Sequence, residues 1–192
     1  MPPPYILTMR DQILYEFATV MSRLAFGKLE HGYIYDRFKL LRDGRLHIAA
    51  TIRGWEETHS LPRQCVFCGS KKELTSDRLI PKCRGGSDSP DNAALVCRAC
   101  VVARGNKGIF EWLGPIKKDA LHPIGGAKYL MQLLEAHEAA GTLEVTQDDI
   151  DGFCRACPLP GVCEEWATEG KLTCFCLESV LPLTTGGGNG NG

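Results

Sequence analysis

The sequence predicts an α+β fold that is mainly helical and contains small cysteine-rich elements. Apolar residues recur at helical spacing in residues 9–27 and in residues 127–140, and Gly141 supplies a C-terminal cap for the second of these stretches. Two Cys-x-x-Cys pairs lie in a basic stretch, residues 63–114, and a second group of cysteines follows in residues 153–176. We therefore expect helices on both sides of the cysteine-rich stretch at residues 63–114.

The order of these patterns divides the chain into five segments. Residues 1–62 form a helical N-terminal region, although residues 33–55 leave two alternatives open. Asp43-Gly44 fits a hairpin turn, but the flanking residues do not alternate, and this favours two short helices. Residues 63–114 form the cysteine-rich module and residues 115–152 a helical segment. Residues 153–182 form a cysteine-rich metal-binding element, and residues 183–192, rich in Gly and Asn, form a flexible tail.

Charge is distributed unevenly along the 192 residues, although the net charge is only −1. Residues 63–118 contain 11 Lys and Arg against 5 Asp and Glu, whereas residues 119–192 contain 3 against 11. This asymmetry predicts a basic working region beside an acidic C-terminal half, which is a candidate surface for a protein partner. No apolar stretch approaches the roughly 20 residues that span a membrane, and the N-terminus does not resemble a signal peptide. We therefore expect a cytoplasmic protein with reduced thiols and no membrane partner.

The first cysteine cluster has the spacing of a structural zinc site. Cys65 and Cys68 form one Cys-x-x-Cys pair, Cys97 and Cys100 form another, and 28 residues separate the pairs. Zinc is held in structural sites by four ligands in a tetrahedron, and a Cys-x-x-Cys turn brings two thiolates to one ion. Two such turns close the site with no open position. The length of the intervening segment implies an inserted element between them.

The inserted element and the second pair carry a resemblance to a known family. The chain reads LTSDRLIPKCRGGSDSPDN from Leu74 to Asn92 and CRACVVARG from Cys97 to Gly105. This resembles the HNH endonuclease pattern, in which Asp-His-Ile-x-Pro precedes a Gly-Gly turn, an Asn and Cys-x-x-Cys-Asn-x-x-Lys-Gly. The resemblance implies a zinc-stapled ββα-metal module with strands over 74–79 and 92–96. It also implies a helix from near Cys100, lying against the groove of a nucleic acid.

The family hydrolyses phosphodiester bonds with one divalent ion, and the resemblance assigns four positions of this chain to that chemistry. Asp77 matches the metal-binding aspartate, which implies a magnesium or manganese ion there. Asn92 matches the asparagine that orients the catalytic histidine and braces the loop. Arg78 stands at the position of that histidine, and Val101 stands where an Asn or His completes the metal site. A guanidinium stays protonated and cannot act as a base, and valine has no donor atom.

These departures predict a zinc protein of the HNH family that binds nucleic acid, with DNA favoured over RNA, and whose catalysis is weak or lost. Two roles for Arg78 stay open, namely a bidentate contact to phosphate and an ion pair with Asp77. Two other functions also stay open: an active endonuclease with a non-standard site, for example one that uses Asn106, and a zinc-scaffolded protein-interaction module. The candidate nucleic-acid contacts are Arg78, Lys82, Arg84, Arg98, Arg104 and Lys107.

The second cysteine cluster contains five cysteines, of which four could bind another metal ion. Zinc is the favoured occupant, whereas an iron–sulfur cluster and the absence of metal are the alternatives. The acidic residues around this cluster make it a poor phosphate binder, and this favours a structural role or a protein contact. The five cysteines are Cys154, Cys157, Cys163, Cys174 and Cys176.

Overall fold

The computed structural model describes residues 5–58, 63–146, 148–155 and 172–181, and the expected tail at 183–192 lies outside these ranges. The described part is mainly helical and contains one two-stranded sheet, which confirms the predicted α+β class. Its helices are α1 (Met9–Phe26), α2 (His31–Arg42), α3 (Ile48–Thr58), α4 (Arg98–Arg104), α5 (Ile109–Lys117), α6 (Pro123–Ala140) and α7 (Ile150–Arg155). Its strands are β1 (Leu74–Arg78) and β2 (Ala93–Cys97), and short 3-10 turns lie at Lys82–Arg84, Pro90–Asn92, Lys118–Ala120 and Cys176–Glu178.

Helix α1 is the central element of the helical part. Thr8 caps its N-terminus, because its hydroxyl oxygen accepts a hydrogen bond from the Asp11 N–H at 3.1 Å. Gly27 ends the helix in the left-handed conformation, with φ 68°. Ile13 and Phe17 are fully buried on the face that packs against α2 and α6. This confirms the helix predicted from the apolar spacing of residues 9–27.

Residues 33–55 form two helices rather than a hairpin. Helices α2 and α3 are joined through a turn at Asp43-Gly44, where Gly44 adopts φ 68°. Ile34 and Phe38 of α2 are buried against α1, and the Trp55 ring of α3 stacks on Phe17 at 5.6 Å between centroids. Asp43-Gly44 therefore joins two helices and does not form a hairpin, which is the alternative that the sequence favoured.

Helix α6 is longer than the sequence predicted, since it begins at Pro123 instead of Ala127. Proline is suited to the first turn of a helix, where its missing N–H has no partner to lose. Gly125 and Gly126 lie in this first turn, and both are buried. A Cβ atom on Gly125 would lie 3.2 Å from the Val66 side chain, so the glycine allows α6 to approach the cysteine module closely. Gly141 ends the helix with φ 68°, as expected.

The two strands, β1 and β2, form an antiparallel pair, and their register fixes the positions of Asp77 and Arg78. Asp77 lies opposite Ala94 and Arg78 opposite Ala93. The second strand continues directly into α4, so that this helix begins at Arg98, two residues before the position that the resemblance implied. One cluster of buried apolar side chains continues from the N-terminal helices through the strands to α6. Among the described residues, no helix combines the length and the apolarity that crossing a membrane requires.

Candidate metal centre and nucleic-acid interface

Four cysteines from the two ends of the module meet at one point. The sulfur atoms of Cys65, Cys68, Cys97 and Cys100 all lie within 4.8 Å of one another, and Cys68 and Cys97 are 3.6 Å apart. Zinc–sulfur bonds of roughly 2.3 Å give a tetrahedron whose edge is about 3.8 Å. The observed separations therefore fit a zinc ion held by four thiolates, as the spacing predicted.

Local backbone structure explains why the thiols converge. In the first pair, the Cys65 N–H donates to the Ser70 carbonyl and the Gly69 N–H donates to the Cys65 carbonyl, at 2.8 and 2.9 Å. Gly69 adopts φ 71°, a conformation that other residues rarely adopt. In the second pair, Cys97 ends β2 and stands at the N-cap position of α4, so its sulfur and that of Cys100, three residues on, lie together at the first helical turn. A strand end and a tight turn thus hold the four ligands.

The electrostatics of the cluster favour a cation at its centre. Burial raises the pKa of Cys65, but hydrogen bonds from the backbone N–H groups of Cys97, Cys68 and Phe67 outweigh this effect and bring it to about 7. Burial and three neighbouring sulfurs raise the pKa of Cys100. Several thiolates cannot coexist at this distance without a counter-charge, and a bound divalent ion supplies it.

Asp77 is neutralised by an arginine from the following helix. Arg104 lies on α4 with its side chain 2% exposed, and its Nη2 atom donates to Asp77 Oδ2 at 2.8 Å. The same guanidinium donates to the backbone carbonyls of Arg78 and Leu79, at 2.8 and 3.1 Å. Burial lowers the pKa of Arg104, and Asp77 counteracts this effect. The guanidinium therefore ties β1 to α4 from inside the module.

Asn92 braces the loop between the strands. Its side chain is fully buried, and its Oδ1 atom accepts from the Ile80 N–H at 2.8 Å. Its Nδ2 atom donates to the carbonyls of Ile80 and Ser87, at 3.0 and 2.8 Å. Gly86 passes so close that a Cβ atom there would lie 1.8 Å from the Ile80 carbonyl oxygen. These contacts correspond to the bracing part of the role that the resemblance gave to Asn92.

Arg78 points away from Asp77 and binds a different carboxylate. Successive residues of a strand face opposite sides, so neighbours in β1 cannot share a partner easily. The Arg78 Nε atom donates to Asp88 Oδ1 at 2.7 Å, and its Nη2 atom contacts the same oxygen. This interaction lowers the pKa of Asp88. Of the two roles expected for Arg78, the ion pair forms with Asp88 instead of Asp77.

The predicted nucleic-acid contacts separate into buried and exposed side chains. Arg84 and Arg104 are each 3% exposed and are engaged with Glu111 and Asp77, so this geometry does not support direct phosphate contacts by either. The remaining four are wholly or partly accessible to solvent on the module, and they are Arg78, Lys82, Arg98 and Lys107.

The residues around Asp77 do not fit a magnesium or manganese ion. The Asp77 oxygen that faces α4 accepts from Arg104, so a guanidinium lies where a cation would be held. Val101 is partly buried against the apolar core and offers no ligand atom. Asn106 is exposed and lies outside the group of residues that line the cavity beside Asp77 and Arg78. None of the described histidines, at 31, 47, 122 and 137, lines that cavity.

The second cysteine cluster lies largely outside the described side chains. Cys157 and Cys163 are outside the described residues, and the Cys154 side chain is also outside them. Cys174 and Cys176 are described and are both buried beside the 3-10 turn that ends at Glu178. The metal predicted for this cluster therefore stays a prediction.

Two acidic residues that the sequence did not single out contribute to the module. Asp88 binds Arg78, and its position two residues after Gly86 is the local signal that could have suggested it. Glu178 is fully buried and accepts from the N–H groups of Phe110 and Glu111 at the start of α5, at 2.6 and 2.8 Å. No local pattern predicts this contact, because 67 or more residues separate the partners.

Comparison with known proteins agrees with this geometry. Residues 65–107 match the family model of the HNH endonuclease. Neither the curated proteins nor the solved structures contain a match to the chain. The matched segment begins at the first cysteine of the cluster, contains both strands and α4, and ends three residues after Arg104. The chain therefore carries an HNH endonuclease module at residues 65–107, with four clustered cysteines that could hold a zinc ion.

Proposed function

We propose that the HNH module binds nucleic acid, with DNA favoured over RNA, and that it cleaves phosphodiester bonds weakly or not at all. The observation that carries this proposal is the pair of arginines at the reaction centre. Arg78 occupies the position of the general base and Arg104 neutralises Asp77. Both side chains add positive charge where the family holds a base and a metal ion.

Binding is supported by the exposed cations of the module. Phosphate contacts by Lys and Arg supply most of the sequence-independent affinity for nucleic acid. Lys82 and Arg78 both lie beside Asp88, whereas Arg98 begins α4 and Lys107 follows its end by three residues. The net charge of the module is positive although that of the chain is −1. We therefore expect binding that weakens steeply with salt and shows little dependence on base sequence.

Loss of catalysis is supported by the chemistry of the two arginines. A missing general base costs roughly 10²–10⁴-fold in rate. The Asp77 carboxylate, bonded to Arg104 and without a second ligand at Val101, is a poor site for a divalent ion. We infer that magnesium and manganese do not restore hydrolysis at this site.

The experiment measures binding and cleavage on the same purified zinc-loaded protein. Fluorescence anisotropy of labelled DNA and RNA duplexes at about 50 and about 200 mM salt should show affinity that falls with salt. Arg98→Ala should weaken binding, whereas Arg53→Ala, an equal change of charge on α3, should not. No cleavage is expected with magnesium or manganese. Metal-dependent cleavage that Asp77→Asn abolishes would instead establish an active nuclease, and salt-independent or absent binding would favour a protein-interaction module.

The remaining expectations follow from the same proposal. We place the protein in the cytoplasm, where its cysteines stay reduced and able to bind zinc; none of the seven described cysteines forms a disulfide bond. The acidic C-terminal half repels phosphate, so we assign any protein partner to that half and not to the module.

A further inference from the structure

A polar cavity of about 230 Å³ opens beside the first strand of the HNH module. Residues of β1 and of the loop after Gly86 line it, and among them are the paired side chains of Arg78 and Asp88. The Ser87 and Ser89 hydroxyl groups lie 2.9 Å apart on the loop that follows Gly86. The lining residues are Ser76, Asp77, Arg78, Ser87, Asp88 and Ser89, with Ala93 beneath them.

The charges at the mouth of this cavity leave one cation in excess. Arg78 and Lys82 share Asp88: Arg78 binds Oδ1, and the Lys82 Nζ atom lies 4.0 Å from Oδ2. Asp77 does not add to the negative charge, because Arg104 neutralises it from inside the module. The side chains of Arg78 and Asp88 are 41% and 63% exposed, so their ion pair contributes little stability and opens easily.

The backbone around Asp88 is held by its neighbours, whereas the Asp88 side chain is exposed and is held only through its ion pairs. Gly85 adopts φ 84°, and Gly86 lies against the Ile80 carbonyl too closely for any Cβ atom. The Ser87 carbonyl accepts from the buried Asn92 side chain at 2.8 Å. The ion pair between Asp88 and Arg78 can therefore open by a movement of the Asp88 side chain alone, while the backbone of the loop stays in place.

We propose that this cavity binds a backbone phosphate of nucleic acid and that the Asp88 carboxylate occupies Arg78 until the phosphate displaces it. The proposal rests on the proposed function and adds a phosphate subsite and its regulation by Asp88. A guanidinium binds carboxylate and phosphate oxygens with the same planar donor geometry, so one can replace the other. The Ser87 and Ser89 hydroxyl groups supply further donors to phosphate oxygens. Asp88 thus lowers the affinity of the free protein for nucleic acid.

The consequence is that removal of the Asp88 charge strengthens binding. Asp88→Asn releases Arg78 and increases the positive charge at the cavity, so we expect DNA affinity to rise by about 3- to 10-fold at low salt. The dependence of log affinity on log salt should steepen by about one unit, because in the natural chain the displaced Asp88 carboxylate offsets one unit of the positive charge that meets the phosphate. Arg78→Ala should abolish the gain, since the released guanidinium is its source.

The test is a double-mutant cycle on the full zinc-loaded chain, with anisotropy of a short labelled DNA duplex as the measurement. The four proteins are the natural chain, Asp88→Asn, Arg78→Ala and the double variant. Asp91→Asn is the matched control, because Asp91 is exposed, lies three residues away and does not line the cavity. Thermal unfolding of each protein checks that the substitutions at these accessible positions leave the fold intact.

Each outcome of the cycle decides the proposal. A gain for Asp88→Asn that vanishes in the double variant and exceeds that of Asp91→Asn supports it. Equal gains for Asp88→Asn and Asp91→Asn, or a gain that survives Arg78→Ala, would overturn it and show a general charge effect. Tighter DNA binding in magnesium that requires Asp88 would also overturn it, because the carboxylates would then hold a cation. DNA binding by the natural chain without a change in Asp88→Asn refutes the subsite alone, whereas no binding by any variant refutes the proposed function as well.

Discussion

Arg104 contacts three oxygen atoms while its side chain is only 2% exposed. Replacement by methionine would preserve most of the volume but would leave the Asp77 carboxylate and two carbonyls without their donor. Breaking a buried ion pair from one side costs about 3–5 kcal/mol. We therefore expect Arg104→Met to lower the free energy of unfolding by that amount in urea titrations.

The control for Arg104 lies on the same helix. Arg98 is exposed at the start of α4, and Arg98→Met should change the free energy of unfolding by no more than about 0.5 kcal/mol. Equal effects of the two substitutions would show that the helix, and not the buried guanidinium, determines the stability. Arg104→Lys should fall between them, because an ammonium group keeps the charge but cannot reach all three oxygens in one plane.

The side chain of Asn92 has one acceptor atom, Oδ1, and one donor atom, Nδ2, and a substitution can remove the donor alone. Asn92→Asp keeps an acceptor for the Ile80 N–H but directs a carboxylate oxygen at the carbonyls of Ile80 and Ser87. Loss of these donors in the interior costs about 1–3 kcal/mol for each unsatisfied group. We expect a loss of about 2–4 kcal/mol in urea unfolding at neutral pH. A stability equal to that of the natural chain would mean that the Nδ2 contacts do not hold the loop.

The cysteine cluster could be predicted from the sequence because each Cys-x-x-Cys pair is local and the chemistry of zinc is strict, whereas Asp77 and Asn92 were identified only through the family resemblance. The partners of Arg78 and Arg104 could not be predicted. Both were candidates for phosphate contacts, since charge alone does not show whether a side chain points outward. The direction depends on the strand register, which the sequence did not predict, and on the start of α4, which lies two residues before the expected position.

At the scale of elements, boundaries that depend on the local sequence were predictable, and boundaries that depend on tertiary contacts were not. The helix over residues 9–27 and the strand pair follow from periodicity and from the motif, and the structure confirms both. The early start of α6 depends on Pro123 and on two buried glycines packed against the cysteine module, so it is a tertiary effect. The cap of α5 by Glu178 is likewise tertiary, since the cap comes from the other end of the chain.

Glu178 should make the stability of this α5 contact depend on pH. Burial raises the pKa of Glu178 to about 7, although Tyr129 and two backbone N–H groups donate to the carboxylate. The pKa in the folded state is above the ordinary value of 4.5, so the folded protein binds the proton more tightly. This contribution to stability is present below pH 4.5 and is lost as pH rises through about 7.

Glu178→Gln removes this titration. We expect the free energy of unfolding of the variant, relative to that of the natural chain, to rise between about pH 5 and pH 8 by up to about 3 kcal/mol. Urea titrations at several pH values measure the difference, and the effects of pH on the cysteine cluster cancel because both proteins contain it. Glu57→Gln, a substitution of an exposed residue on α3, should show no such trend. A flat difference for Glu178→Gln would mean that the buried carboxylate titrates at its ordinary pKa.

At the scale of the whole molecule, the cysteine cluster and the helices share one apolar core. The Phe67 ring lies edge-on to Trp112 at 5.1 Å, and the Phe110 ring lies edge-on to Tyr129 at 5.3 Å. The Val66 carbonyl accepts from the His122 N–H at 2.9 Å, directly before α6. The module therefore has no separate core of its own among the described residues, and its loss exposes the apolar face of α6.

Removal of zinc should consequently destabilise the helices as well as the module. Structural zinc sites of this kind bind with roughly 10–16 kcal/mol, as much as the net stability of a domain, which is about 5–15 kcal/mol. We expect Cys97→Ser to lose one zinc equivalent and to accelerate hydrogen exchange in α1 and α6 as well as in β1 and β2. Cys83→Ser, which alters an exposed thiol outside the cluster, should change neither zinc content nor exchange. Faster exchange confined to residues 65–107 of Cys97→Ser would show that the module unfolds alone and that the shared core does not couple it to the helices.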